Sequence, residues 1–175
     1  MALPPEASSP NSASDEVVFP RPGLVHRLDK DTTGVMVLGK TEDAMTALSL
    51  QFFERAVERR YLALVWGDLE TEGTIRGHIG RNRRNRKIQA VFPNGEEGKH
   101  AVTHYSVLER LGPVTLTECR LETGRTHQIR VHMEHIGHPL FGDPSYGGNR
   151  AVKGVRGGKY QAFLNIDTLS FELTM

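Results

Sequence analysis

Residues 26–34 read His26-Arg27-Leu28-Asp29-Lys30-Asp31-Thr32-Thr33-Gly34 and hold two carboxylates, two cations and an imidazole next to a glycine. Held together by a fold, such groups can stabilise charge, attack an electrophile or move protons. By composition alone the simpler reading is a polar loop whose Asp and Thr side chains cap backbone amides. A second concentration, Arg81-Asn82-Arg83-Arg84-Asn85-Arg86-Lys87, has five bases in seven residues and no acid, with Arg76 shortly before it. That run suits phosphate, or is a solvated face. A third is histidine: His127, His132, His135 and His138 fall within twelve residues. The stretch reads HMEHIGH rather than HExxH, and no acid or cysteine completes a ligand set, so no catalytic metal is expected. Gly34, Gly39, Gly147 and Gly148 form neither a phosphate-cradling loop nor a dinucleotide turn, so no nucleotide cofactor is expected either. The single cysteine, Cys119, excludes an internal disulfide and reads as a small buried hydrophobe.

The elements that must position these groups belong to a chain of 175 residues, 38% hydrophobic and 25% charged, which fits one globular domain. A net charge of +1 says nothing about partners. No apolar run approaches the roughly 18 residues a membrane helix needs. No Lys or Arg precedes Arg21, so the start resembles neither a secretory signal nor a transit peptide, and the expected compartment is the cytoplasm. Residues 1–20, with four of the nine prolines and four serines, read as a flexible tail, and residues 21–175 as the folded domain. Strands are expected at 35–38, 61–66, 87–92, 100–109, 114–121 and roughly 161–173. Thr41 is placed to cap a helix whose Ala44, Met45, Leu48 and Phe52 face the core, and Ile129, His132, Met133 and Ile136 share one face of a second helix ending at Gly137. This order predicts an α+β fold built on an antiparallel or mixed sheet.

Four segments, in order, resemble the RluA family of pseudouridine synthases. Val25 to Gly34 resembles its catalytic motif, HRLD followed by two variable residues, T, S or T, and G; Arg60-Tyr61-Leu62-Ala63-Leu64-Val65-Trp66-Gly67 resembles its tyrosine-bearing strand. Leu121 to His132, containing Gly124-Arg125-Thr126-His127-Gln128, resembles its third motif, and His138 to Gly147 the loop that follows. The likeness runs from about Gly23 to Gly148, and its details resemble the RluD-like branch.

This resemblance implies a mainly antiparallel sheet with flanking helices and an RNA pseudouridine synthase needing no cofactor. It implies Asp29 as the catalytic carboxylate, Arg125 as the cation paired with it and Tyr61 as the ring beside the target base. Arg27 would brace the site vacated by a flipped nucleotide. Beside such a site, Arg81, Arg83, Arg84, Arg86 and Lys87 become phosphate contacts. The implied partner is structured RNA, ribosomal first and transfer RNA second, with no obligate protein partner. His127 is read as a structural polar residue near the Arg125 loop. Only 28 residues precede Asp29, where the family has further strands, so the scaffold reads as shortened at both ends. A catalytically silent RNA-binding remnant or a truncated product is the alternative.

Overall fold

The structure is a computed structural model that describes residues 23–147 and the strand at 164–170. Its frame is a seven-stranded sheet in the order β1-β7-β2-β6-β5-β3-β4. The strands are β1 (Thr32–Gly34), β2 (Glu58–Trp66), β3 (Glu72–Arg81), β4 (Gln89–Phe92), β5 (Lys99–Arg110), β6 (Val114–Leu121) and β7 (Leu164–Ser170). All neighbours pair antiparallel except β1 on β7, which makes the sheet mixed as expected. β2, apolar on both alternating faces, takes the interior place that pattern predicts, between β7 and β6. β5 returns into β6 through a tight turn: Leu111 N–H donates to the Val114 carbonyl at 2.8 Å and Gly112 supplies the left-handed φ of 78°. The expected 35–38 strand is replaced by β1 a few residues earlier and by a single bridge from Leu38 to Leu24.

β3 has no counterpart among the expected strands. Glycines at 73, 77 and 80 dilute its strand signal, and they are there because neighbouring side chains need the space. A methyl group at Gly73 would strike the Tyr105 ring, and one at Gly77 would strike Val91.

One face of the sheet carries the core. Ala63 and Val65 of β2, Ile75 of β3 and Cys119 and Leu121 of β6 meet Ile129 and Met133 of helix α2 (Gln128–His135), with Leu140 closing the end. The Val, Ile, Leu and Met side chains among them each contribute about 1.5–3 kcal/mol by leaving water. Cys119 is fully buried, and that burial raises its thiol pKa, as the hydrophobe reading requires.

Helix α1 (Glu42–Glu54) starts as expected, with Thr41 Oγ1 accepting from Ala44 N–H at 3.1 Å and Glu42 and Asp43 in the first turn. Its packing differs from expectation. Ala44, Met45, Leu48 and Phe52 form the less exposed side, but α1 buries no residue, and Phe53 is 84% exposed. The periodicity that marks an apolar stripe does not say what covers it. No helix among the described residues is long and apolar enough to cross a membrane.

Candidate active site

A pocket of about 490 Å³ opens where the core ends, at the start of β2 and the entrance to α2. Asp29, Tyr61 and Arg125, far apart in sequence, all line it, as does Arg27. Asp29 sits on a turn closed by its own carbonyl, which accepts from Thr32 N–H at 3.0 Å. The turn is pinned from behind by His26, whose Nε2 accepts from Val37 N–H at 3.0 Å while its ring stacks on Phe52 with centroids 5.0 Å apart. Accepting there requires a neutral imidazole, and burial, with help from the Arg59 charge, lowers the His26 pKa in that direction.

Tyr61 is the fourth residue of β2, on the side facing the core cluster. The register against β7 shifts between Arg60 and Tyr61, a local irregularity of the sort found where a strand aims a side chain at a site. Burial raises the Tyr61 phenol pKa; Arg59 opposes that and Asp29 reinforces it. The ring therefore enters the pocket as a neutral phenol at ordinary pH.

The cation facing Asp29 is Arg130, which corrects the expected pairing with Arg125. Arg130 Nη1 lies 3.6 Å from Asp29 Oδ2, whereas Arg125 Nε donates to the His100 carbonyl at 3.0 Å. Arg130 is itself held by Asp143, which is fully buried: Nε reaches Oδ2 at 2.7 Å and Nη2 reaches Oδ1 at 3.1 Å. Asp143 Oδ1 also accepts from Ser145 N–H at 2.9 Å and Tyr146 N–H at 3.3 Å. The Arg130 guanidinium lies over the Tyr146 ring, 5.0 Å from its centroid. Although burial works against it, hydrogen bonding and charge from Asp143, then Asp29, leave its pKa raised.

His127 is closer to the chemistry than expected, with Nε2 3.9 Å from Asp29 Oδ2. Its Nδ1 meets Tyr146 Oη at 2.8 Å, and that hydroxyl accepts from Gln89 N–H at 2.8 Å. With Tyr146 donating to Nδ1, the imidazole proton sits on Nε2 and points toward the carboxylate. Burial and then Arg130 lower the His127 pKa, against the raising influence of Asp29 and Asp143.

Backbone shape decides which arginine arrives. His127 occupies the left-handed region, φ 57°, and begins α2, so Arg130 projects from the first turn of the helix while Arg125 stays on the loop before it. Gln128 fixes that corner with all four of its amide hydrogen-bonding positions. Its Oε1 accepts from Thr123 Oγ1 and Arg125 N–H, and its Nε2 donates to the Val102 carbonyl and Thr103 Oγ1, at 2.8–2.9 Å.

The basic run forms the turn between β3 and β4 and does not line the pocket. Asn82 Oδ1 accepts from the amides of Arg84 and Asn85, Arg81 Nη1 donates to the Arg86 carbonyl at 2.8 Å, and Arg83 Nε pairs with Glu97 at 2.9 Å. Arg84, Arg86 and Lys87 are exposed with no ion pair among the described residues. The histidines do not converge: no group of three or more potential metal ligands occurs among the described residues, and His132 is a core side chain.

The family described as RNA pseudouridylate synthase matches residues 7–135. The chain belongs to that family. Among its curated relatives, it is 56% identical over 137 residues to ribosomal large subunit pseudouridine synthase D of Nitrosomonas europaea and 57% identical over 136 residues to the protein of that name from Pseudomonas aeruginosa. The matches take in 78% of this chain in both cases but 39% and 42% of those proteins, so the chain spans about two fifths of their length. Of solved structures, human RNA pseudouridylate synthase domain containing 1 superposes with a TM-score of 0.74 at 30% identity, covering 86% of this chain and 64% of that one. The relatives place this member on the RluD-like side of the RluA family, and the superposition agrees with an α+β synthase fold.

Proposed function

We propose that this chain carries the catalytic machinery for converting uridine to pseudouridine in structured RNA, with ribosomal RNA as substrate ahead of transfer RNA. The observation that supports it is Asp29, faced by Arg130 and His127, in one pocket with Tyr61. The isomerisation breaks the C1'–N1 bond, turns the uracil and joins C5 to C1'; N1 gains a proton and C5 loses one, so nothing is consumed.

Asp29 is the group for C1'. Its carboxylate meets the electron-deficient sugar carbon, with Arg130 and the Nε2–H of His127 facing it to hold its direction. Tyr61 as a neutral phenol suits stacking on the detached base and passing on the C5 proton, in preference to service as a standing phenolate. Arg27 and Arg125 line the same pocket and serve the displaced nucleotide, while Arg84, Arg86 and Lys87 on the β3–β4 turn contact phosphate away from the chemistry.

The test is carbodiimide mapping of RNA from cells with and without the gene, paired with purified protein acting on ribosomal and transfer RNA in EDTA. Gene-dependent modification of a discrete uridine, reproduced in EDTA, is the expected result. Unmodified RNA in both arms overturns the reading, and retained RNA binding would then favour a silent RNA-binding role.

A further inference from the structure

Of the two pocket-lining arginines that the chemistry above does not use, Arg55 is exposed and Arg59 is half-buried. Arg59 lies two residues before Tyr61 on β2, so both side chains leave the same face of the strand, and it lines the same pocket. Its Nε is sealed from solvent and has no hydrogen-bond partner, and Arg59 makes no ion pair among the described residues. The nearby cations are engaged differently. Arg130 is held by Asp143, Arg125 Nε by the His100 carbonyl, and Arg60, on the opposite face, by Glu58 and Glu118. Burial lowers the Arg59 pKa, Tyr61 partly offsets this, and Arg55 adds repulsion.

Room for this guanidinium is built in. The loop beside it carries Gly124, and a methyl group there would overlap Arg59 Nη1. A half-buried guanidinium with no carboxylate beside it is costly unless an anion reaches it from the pocket side. Uridine is uncharged, and its carbonyls would satisfy a hydrogen bond without neutralising the charge. A phosphate does both, since two oxygens match the planar fork of an arginine.

We propose that Arg59, in the space left by Gly124, is the receptor for a phosphate adjoining the target nucleotide. This rests on the functional reading above and adds a requirement: the pocket selects a nucleotide carrying its phosphate over a free nucleoside. Arg59 is a binding and positioning residue, and it places the sugar against Asp29 through the phosphate it holds.

The experiment titrates the whole chain at fixed ionic strength with uridine, uridine 3'-monophosphate and uridine 5'-monophosphate, following the arginine Nε–H resonances by NMR. One of the two monophosphates should bind about tenfold tighter than uridine, in keeping with one charge-assisted bidentate contact. The Arg59 Nε–H signal should move with it. Arg59→Gln should erase the preference, Gly124→Ala should reduce it by displacing the guanidinium without removing its charge, and Arg59→Lys should retain only part of it. A wild-type chain that binds all three ligands equally, or variants that keep the full preference, overturns the proposal. Should Arg59→Gln not fold, Gly124→Ala and Arg59→Lys decide it in the same way. Arg59-dependent preference in a chain that modifies no RNA would leave this inference standing and remove only the catalytic reading. RNA modification with an unchanged preference in the variants would do the reverse.

Discussion

Arg130 and Asp143 are joined by two hydrogen bonds, 2.7 and 3.1 Å long, and that grip leaves the third guanidinium nitrogen, Nη1, 3.6 Å from Asp29. The carboxylate of the site is thus oriented by a cation that is itself oriented by a second, fully buried carboxylate. The placement of Asp29's cation is thus set from inside the fold, since Asp143 belongs to the loop after α2 and its Oδ1 also anchors two backbone amides of that loop.

Breaking this arrangement should cost both stability and turnover. Arg130→Met leaves Asp143 buried without its cation and should destabilise the fold by about 3 kcal/mol while removing most activity. Asp143→Asn keeps Arg130 but loosens it, so turnover should fall further than RNA affinity does. Urea unfolding and single-turnover assays measure the two effects. Full activity in Arg130→Met would assign the cation's role elsewhere.

Asp29→Asn and Asp29→Ala should abolish turnover and leave RNA affinity within about threefold, because one carboxylate at C1' adds little to binding governed by phosphate contacts. Product formation above the uncatalysed background in either variant would remove Asp29 from the mechanism.

The choice between Arg125 and Arg130 shows what the sequence can and cannot convey. Both lie in one short motif, and spacing alone does not tell which faces Asp29; the left-handed φ at His127 decides it. A histidine in that conformation has no distinctive local pattern. The packed face of α2 is legible because apolar periodicity is written locally, whereas Tyr61 as a site residue follows from the family resemblance alone. Ile129, His132 and Met133 are all buried as that spacing predicts. β3 was hidden because the glycines that let Tyr105 and Val91 approach erase the alternation that marks a strand. The Asp143–Arg130 pair and the His127–Tyr146 contact depend on two loops meeting, which only the fold brings about.

The β3–β4 turn should divide functionally. Arg84, Arg86 and Lys87 changed together to Gln should reduce the slope of log affinity against log salt by about 2 for single-stranded contacts, near 0.7 for each phosphate released. Arg83→Gln alone should change it less, since Arg83 already pairs with Glu97 and lies over the Phe92 ring. Filter binding across a salt series measures this. An unchanged slope in the triple variant would mark the turn as a solvated face.

Stability should fall on mild acidification, and His132 should account for much of the loss. The imidazole is fully buried, its Nδ1 lies 2.9 Å from Thr103 Oγ1, and its Nε2 has no partner. Burial, with a smaller contribution from His135, lowers its pKa from 6.5 to about 4. Above pH 6.5 the ring is neutral in both folded and unfolded chains and has no influence on the pH dependence. Between 6.5 and about 4 the unfolded chain takes up a proton that the folded chain refuses, so stability declines as pH falls, by about 3 kcal/mol across that window. His26 and His127, whose pKa values are also lowered, act in the same direction. Urea titrations at pH 7, 6, 5 and 4.5 should show this decline, and His132→Asn should flatten it. NMR titration of the imidazole in the folded chain provides a direct check. A His132 resonance titrating near 6.5, or an equally steep decline in His132→Asn, would show that this buried ring does not govern the acid sensitivity.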